Sequence, residues 1–571
     1  MDSFLEKYKD LQSLLGAKGF ARLLGAPEHA KVIFCHLFVR DHLSRPSGML
    51  VLVSETSEEA RQLRDMISSH FPSSLRQRFH FLPHFDFWGR ERTSSHHDLC
   101  WARSRALSAL ALATEPVVLF TSLDGLLQRT IPRVELLQST IELQVGKDLD
   151  EKDLDRLLEE WGYVMSPQVL GEGTIVFRGG ILDIFCPNYQ FPIRIELLGD
   201  EINSIRLFDP VSQESFENLD RVKINPSREF LLSRGERQDL IQRLYENLID
   251  DGVSHADREG LLDAFREGYI FPGIQLYGPT IRARSDLPLS FLNPDTVLLL
   301  ISPEDQLKES YSDRCRDRLQ RYASDRDQAK PTVSPHHHFL ESSDLDEFLG
   351  TFGRIEIGGI DPSDHHEVVP YRPDLLEHHL LPRRGMNASE RFEAWFEMFR
   401  SLQHQEIQVG VLLDSISDLE RMENLLKGRT MSCSRIEHLI HFWPKRDLVE
   451  KNQKVNLILG QMDGYILDRA RSILLVSGRE IFGNIAPPPK KDSQRLKDII
   501  TSFKDLKVDD AVVHVDHGIS RYKGMKTIDV NGVSSDFLHL EFAGGDQLYL
   551  PVDRLKVLQK YSAPSKDHWT R

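Results

Sequence analysis

The sequence predicts a multidomain α/β protein: an α/β domain interrupted by a small antiparallel α+β insertion, a second α/β domain, and a small β-barrel at the carboxyl end. Three observations carry this expectation. A chain of 571 residues is long enough for several domains of ~100–200 residues. Its first 130 or so residues alternate strand-like and helix-like patterns, and residues 506–561 read as short strands joined by tight turns.

Residues 32–34 and 49–53 are short apolar runs of buried-strand type. Residues 57–70 have helical spacing, and 117–120 is a further strand before the helix-like 123–128. Such alternation means a parallel sheet, assigned to 1–135. The insertion, 136–225, opens with an amphipathic helix at 148–161. Strands follow at 173–178, 181–185, 191–198 and 202–208, with Gly179-Gly180 and Gly199-Asp200 supplying the hairpin turns. A helical stretch at 229–284 and a buried strand at 296–301 return the chain to the first domain, so 226–350 is its second part. A separate α/β domain is expected over 351–485, from a strand at 354–357, a helix at 390–402, a strand at 407–413 and a helix at 415–426. Three prolines and two lysines at 487–491 begin a linker, 486–505, and 506–571 is the barrel.

Composition narrows the function classes. Hydrophobic residues at 40%, with glycine added, reach the level of globular chains, so disorder is excluded as the default. A net charge of −16 makes the whole molecule repel polyphosphate, and any nucleic-acid contact must be local. Five cysteines, odd in number and without a C-x-x-C pair, argue against a disulfide framework and a zinc site and fit a reducing cytoplasm. No apolar run approaches the ~18 residues of a membrane span, and the first residues lack the order of a signal peptide.

Residues 25–32, Gly25-Ala26-Pro27-Glu28-His29-Ala30-Lys31-Val32, have the outline of a phosphate loop, G-x-x-x-x-G-K-[ST], read as lying between a helix and an apolar strand. The lysine remains. Ala30 adds a Cβ where glycine's freedom is used, Val32 has no hydroxyl for magnesium, Pro27 removes an N–H donor and Glu28 brings negative charge. The expectation is a nucleotide seat that has lost its function, with no cofactor bound by this chain.

In the barrel, Asn531-Gly532 and Gly544-Gly545-Asp546 mark hairpins. Period two puts Leu538, Leu540 and Phe542 on the inner face and Phe537, His539 and Glu541 on the outer one. Six basic side chains against eight acidic ones in 508–560 make a phosphate-binding surface unexpected. An outward aromatic, Phe537, instead suggests a protein partner, possible by strand addition at an exposed edge.

These residues resemble a known family. Residues 512–522 and 540–552, with Val513-His514-Val515-Asp516-His517-Gly518 and Gly544-Gly545-Asp546-Gln547-Leu548-Tyr549-Leu550-Pro551, are similar to the RNA-polymerase-interacting domain of bacterial transcription-repair coupling factors, the Mfd family. Residues 176–187, Pro192-Ile193-Arg194-Ile195-Glu196 and 204–209 resemble the inserted domain that this family shares with UvrB, and Gly478-Arg479-Glu480-Ile481-Phe482-Gly483 is similar to the marker closing its third domain. The resemblance implies a degenerate RecA/UvrB-like α/β domain, a divergent third domain and a Tudor-like (CarD-like) barrel that grips the β subunit of RNA polymerase. It also implies recruitment of UvrA by the insertion, carried onto Arg178, Phe185 and Arg194, and polymerase binding on Phe537, Leu538, His539, Leu540, Glu541 and Phe542, with Leu540 as an edge contact. In full-length members a motor follows, an ATP- and magnesium-dependent translocase that contacts DNA and displaces stalled polymerase. It would begin near Arg571. Relatives often carry a polar or basic residue after Gly162-Tyr163, where Val164 and Met165 stand here.

The alternatives are a UvrB-like ATP-dependent helicase subunit with an atypical loop, supported by Lys31 alone, and a CarD-type transcription regulator. Three histidine clusters (336–338, 365–366, 378–379) read as solvated surface rather than metal ligands. Residues 81–92 read as a packed loop rather than a lesion probe, and no catalytic constellation is predicted.

Overall fold

The computed structural model describes residues 4–14, 19–87, 96–149, 151–166, 168–169, 171–210, 212–229, 237–250, 253–267, 274–281, 285–328, 332–358, 367–370, 388–443, 454–482, 511–514, 518–530, 533–542, 547–551 and 558–560. The expected linker 486–505, the histidine pairs 365–366 and 378–379, the turns at 531–532 and 544–546, residues 88–92 and Gly483 lie outside the described residues, as do the side chains of Phe537 and Phe542. The chain divides into two compact units, 1–483 and 484–571.

The first unit is built on a seven-stranded, wholly parallel sheet. Its order is Glu367–Pro370, Phe20–Leu24, Gly353–Ile357, Val297–Leu300, Met49–Ser54, Val117–Ser122, Phe79–Leu82. Both faces are buried, which is why the run 49–53 shows no polar alternation. Leu50 and Leu52 enter one core, while Met49, Val51 and Val53 enter the other.

Two expectations are corrected here. Residues 32–34 are not a strand but part of the helix Glu28–Leu43, and the strand is Phe20–Leu24. Ala30, Ile33, Phe34, Leu37 and Phe38, all in one buried cluster, follow i, i+3, i+4, i+7, i+8 spacing. A buried helix and a buried strand both look uniformly apolar over three residues. The boundary at 351 also fails. Gly353–Ile357 sits inside the first sheet, hydrogen-bonded to strands 20–24 and 297–300, because a parallel strand pairs with neighbours distant in sequence.

The insertion is an antiparallel α+β unit whose strands run between 141 and 224, while Leu136, inside the expected bounds 136–225, packs with the first domain. Strand Ile141–Gln144 pairs with Arg221–Ile224 at its base, and six further strands form a sheet in the order Ser215–Leu219, Glu201–Phe208, Ile193–Leu198, Ile181–Ile184, Thr174–Arg178, Val164–Met165. Helix Glu151–Glu160 contributes Leu154 and Leu158 to its core. Helices Arg237–Asp250 and His255–Glu267 carry a small cluster of their own.

The domain after 388 has a five-stranded sheet, Cys433–Ile436, Val455–Leu459, Gln408–Leu413, Ile473–Ser477, Tyr465–Asp468, with only the last strand antiparallel. It is less separate than expected. Val409, Val411 and Leu413 face its own core, but Leu412, Ile458, Ile473 and Leu475 join the cluster of helix 28–43. The second unit is an antiparallel sheet ordered Gln547–Pro551, Val533–Phe542, Gly518–Val530, Ala511–His514, Leu558–Lys560.

A buried ion cluster fixes the long helix Glu304–Asp327 to the first sheet. The Asp124 carboxylate, 1% exposed, accepts from Arg314 Nε at 2.6 Å and from Arg318, whose guanidinium lies over Phe339. Burial opposes the charge on Asp124, but His84, Arg318 and Arg314 outweigh it and hold the carboxyl below its ordinary range. Asp124→Asn should destabilise the first unit by about 3 kcal/mol, since Arg318 is left buried with its countercharge gone. A first melting transition unmoved in scanning calorimetry would contradict this.

A closed phosphate seat and an open sheet face

Strand 20–24 runs into Gly25 (φ +78°), and three residues later helix 28–43 begins. The order is strand, loop, helix at the carboxyl end of a parallel sheet, where nucleotide loops sit, and not the helix-to-strand order expected. The seat is nevertheless filled. The N–H groups of Ala30 and Lys31 both bond to Pro27 O, at 2.8 and 3.2 Å, so they face into the helix. Ala30 is fully buried. Lys31 is 8% exposed, and its Nζ donates to Ile301 O at 3.1 Å. Its stem lies so close to Gly358 (φ +113°) that a Cβ there would stand 2.6 Å from Lys31 Cε. Gly464 closes the other side, where a Cβ would come within 2.9 Å of His29 Cγ, and Tyr465 stacks on the His29 ring. A cavity of about 220 Å³ does exist in this domain. It is lined by Leu50, Val297 and Gly353, at the amino ends of their strands, opposite to where such folds bind ligands.

The insertion presents an open face whose composition follows from strand register. Asn218, Arg206, Arg194, Asp183 and Val176 form one cross-strand row, and Ser204, Glu196, Ile181 and Arg178 the next. Arg178 and Arg194 therefore share a face. Their states differ. Arg178 is exposed, whereas Arg194 is held by both oxygens of Asp183, at 2.7 and 2.8 Å, and lies over the Phe208 ring. The Asp183 bond raises the Arg194 pKa further. Arg206 pairs with Glu196, so the directly opposed Arg194 and Arg206 are each neutralised by a carboxylate.

Phe185 is not on that surface. It is 8% exposed and packs with Val169, Val176 and Phe208, while its backbone bonds Gly173 and Thr174. The sheet exposes Val164, Met165 and Phe216 on its outer strands and, most of all, Leu198, 76% exposed at the end of strand 193–198, whose Leu197 N–H bonds Gly180 O beside Arg178. The sequence carried a signal for it: period two in Ile193-Arg194-Ile195-Glu196-Leu197-Leu198 puts Leu198 with Arg194 and Glu196 on the outer side.

In the second unit, strand 533–542 is paired on both sides, with 518–530 and 547–551. The edge contact expected of Leu540 is thereby corrected, since Leu538 and Leu540 are fully buried and the edges belong to 547–551 and 558–560. His539 and Glu541 are half-buried, with Glu541 3.1 Å from Lys523 Nζ. Arg521, Met525 and Lys526 on strand 518–530 are exposed.

The marker Gly478–Phe482 is a structural lock. Gly478 leaves no room for a Cβ beside Leu413 Cδ2 at 2.7 Å, Arg479 bridges Asp414 and Asp463, Trp395 Nε1 donates to Glu480 O, and Ile481 is fully buried. Among the described residues no group of three or more His, Cys, Asp or Glu side chains could hold a metal, and the five cysteines are free. His338, expected on the surface, is 1% exposed and bonds Leu276 O. Phe85 and Phe87 stack on each other, and the Phe85 backbone is tied down by Gln128, while Phe81 and Leu82 of the expected loop belong to strand 79–82.

Two domain families match this architecture. The UvrB interaction domain matches residues 141–230, and the CarD-like/TRCF RID domain matches residues 506–562. The α/β chain thus carries a match to each of these two domain families. The chain is 30% identical to the transcription-repair-coupling factor of Myxococcus xanthus over 81% of its own length and 39% of that protein. It is 24% identical to that of Escherichia coli (96% and 46%) and 24% to that of Bacillus subtilis (76% and 37%). By sequence it is a relative of the transcription-repair coupling factors, and it spans less than half the length of these curated relatives.

Phe185→Ala should cost about 3 kcal/mol of stability through the cavity it leaves. Arg178→Ala should stay within about 0.5 kcal/mol, as exposed sites do. Chemical denaturation followed by circular dichroism separates the two, and equal losses would contradict the assignment of Phe185 to the core.

Proposed function

We propose that this chain is an adaptor in transcription-coupled nucleotide excision repair, a tether that holds RNA polymerase through its last domain and recruits UvrA through its insertion. The observation that carries the reading is the contrast within the first unit: a phosphate seat filled by its own side chains beside a charged sheet face left open. On that face Arg178 and Leu198 are the anchors, arginine being enriched among the residues that carry binding energy and the exposed leucine offering apolar surface to bury. Phe185 and the Arg194–Asp183 pair shape the surface from behind. The seven-stranded sheet is then a RecA/UvrB-like domain without ATPase activity. The terminal sheet is a Tudor-like barrel that meets the polymerase β subunit through exposed side chains of strand 518–530 or an edge strand. ATP, magnesium and DNA translocation belong to motor domains of the longer relatives.

Pull-downs with purified UvrA test the first half. Arg178→Ala and Leu198→Ala should each weaken capture at least tenfold, about 1.4 kcal/mol, and unchanged capture by both would refute the site. Arg521→Glu with Lys526→Glu should likewise lower capture of the polymerase β subunit without affecting UvrA. Calorimetric titration with magnesium-ATP should give no saturable heat. A saturable isotherm abolished by Lys31→Met would favour the helicase-subunit reading instead.

A further inference from the structure

We propose that the seam between the first sheet's helices and the 388–482 domain is a proton-operated latch: adding protons to His36 and His70 undocks that domain while each sheet keeps its own core. Both rings are fully buried and stand 5.3 Å apart, one on helix 28–43 and the other at the end of helix Ser57–Ser69. Each makes one hydrogen bond, across the seam.

The chemistry of the partners fixes the protons. Trp443 Nε1 can only donate, and it lies 3.0 Å from His36 Nε2. That nitrogen must therefore be bare, with the proton on Nδ1. Gln461 O can only accept, and it lies 2.7 Å from His70 Nε2, so there Nε2 carries the proton and Nδ1 is bare. Among the described residues neither Nδ1 has a hydrogen-bond partner. A second proton on His36 would point at the Trp443 N–H. A second proton on His70 would be a buried donor without an acceptor, which costs free energy.

The charges beside His36 oppose its protonation as well, since it faces Arg40 on its own helix and His70 from the next. At His70 the Gln461 carbonyl favours the proton, and burial outweighs it. Across the seam, His438 lies among Glu437, Arg76 and His441, with Glu437 85% exposed. Among the described residues no carboxylate acts on His36 or His70. Burial pushes His36 well below 6.5 and His70 down to about 4. Once undocked, both rings would take up protons near 6.5. Docking is thus complete above pH 6.5 and is lost progressively as the pH falls toward 4, by about tenfold per histidine per pH unit.

The rest of the seam is backbone contact, apolar packing and the stacking of His29 on Tyr465. Gln461 N–H bonds Ser69 Oγ at 3.0 Å, Gly460 lies against His70, and Phe442 and Met462 join the cluster of helix 28–43. His36 and His70 are the two imidazoles that are fully buried there, so the cost of a second proton falls on them.

Hydrogen exchange of the whole chain between pH 7.5 and 5.0, corrected for intrinsic rates, reads it out. Protection of Gln461 and of 438–443 should fall up to about a hundredfold per pH unit below 6, while strands 193–198 and 408–413 stay protected. His70→Gln keeps a donor for Gln461 O and should reduce the slope to tenfold. Independently of any variant, nuclear magnetic resonance of labelled histidines should show both rings neutral at pH 6 in the protected state. Protection that ignores pH, loss shared equally by strand 193–198, or rings titrating near 6.5 with protection intact would each overturn the proposal.

Discussion

The constraint on which the first unit depends is a single apolar layer shared by two parallel sheets. Helix 28–43 presents Ile33, Phe34, Leu37 and Phe38 to a cluster that takes Leu50 and Leu52 from one sheet and Leu412, Ile458 and Leu475 from the other. A parallel strand in such a layer has no solvent side to spare, so the 388–482 domain docks as a second lid on the same helices. The space in front of the loop at 25–28 is limited from two sides: Lys31 lies against Gly358, at the end of a strand of the first sheet, and His29 against Gly464 of the docked domain.

How far the sequence could be read depended on the range of the interactions involved. Strands 49–54 and 117–122 and the hairpins of the insertion were legible because local alternation and turn residues specify them. Helix 28–43 is not legible from 32–34 alone, because three consecutive apolar residues look the same in a buried helix and a buried strand. Strand 353–357 was assigned to the wrong domain because its partners lie more than 50 and 300 residues earlier, a relation no local pattern encodes. Phe185 and Leu198 exchanged roles for a related reason. Phe185 directly follows strand 181–184 and could be placed on either face, whereas Leu198 was fixed by period two within its own strand. His338 went the same way, since its neighbours His336 and His337 are exposed and only a tertiary acceptor, Leu276 O, explains its burial.

The open face of the insertion shows why two arginines on one face of a sheet need not do the same work. Arg194 already has two carboxylate bonds and an aromatic ring beneath it, and Asp183 is 9% exposed. Giving up that pair to a partner would leave a nearly buried carboxylate uncompensated, a cost of several kcal/mol that a new contact must first recover. Leu198, 76% exposed, carries no comparable penalty, because its burial by a partner removes apolar surface from water. Binding energy should therefore concentrate at the 178–181 and 198–201 turns, while the Arg194–Asp183 and Arg206–Glu196 pairs keep the strands in register and set the charge pattern a partner must match. An interface of that kind can change its partner preference through turn residues alone, because the pairs that hold the sheet together lie outside the part that is spent on binding.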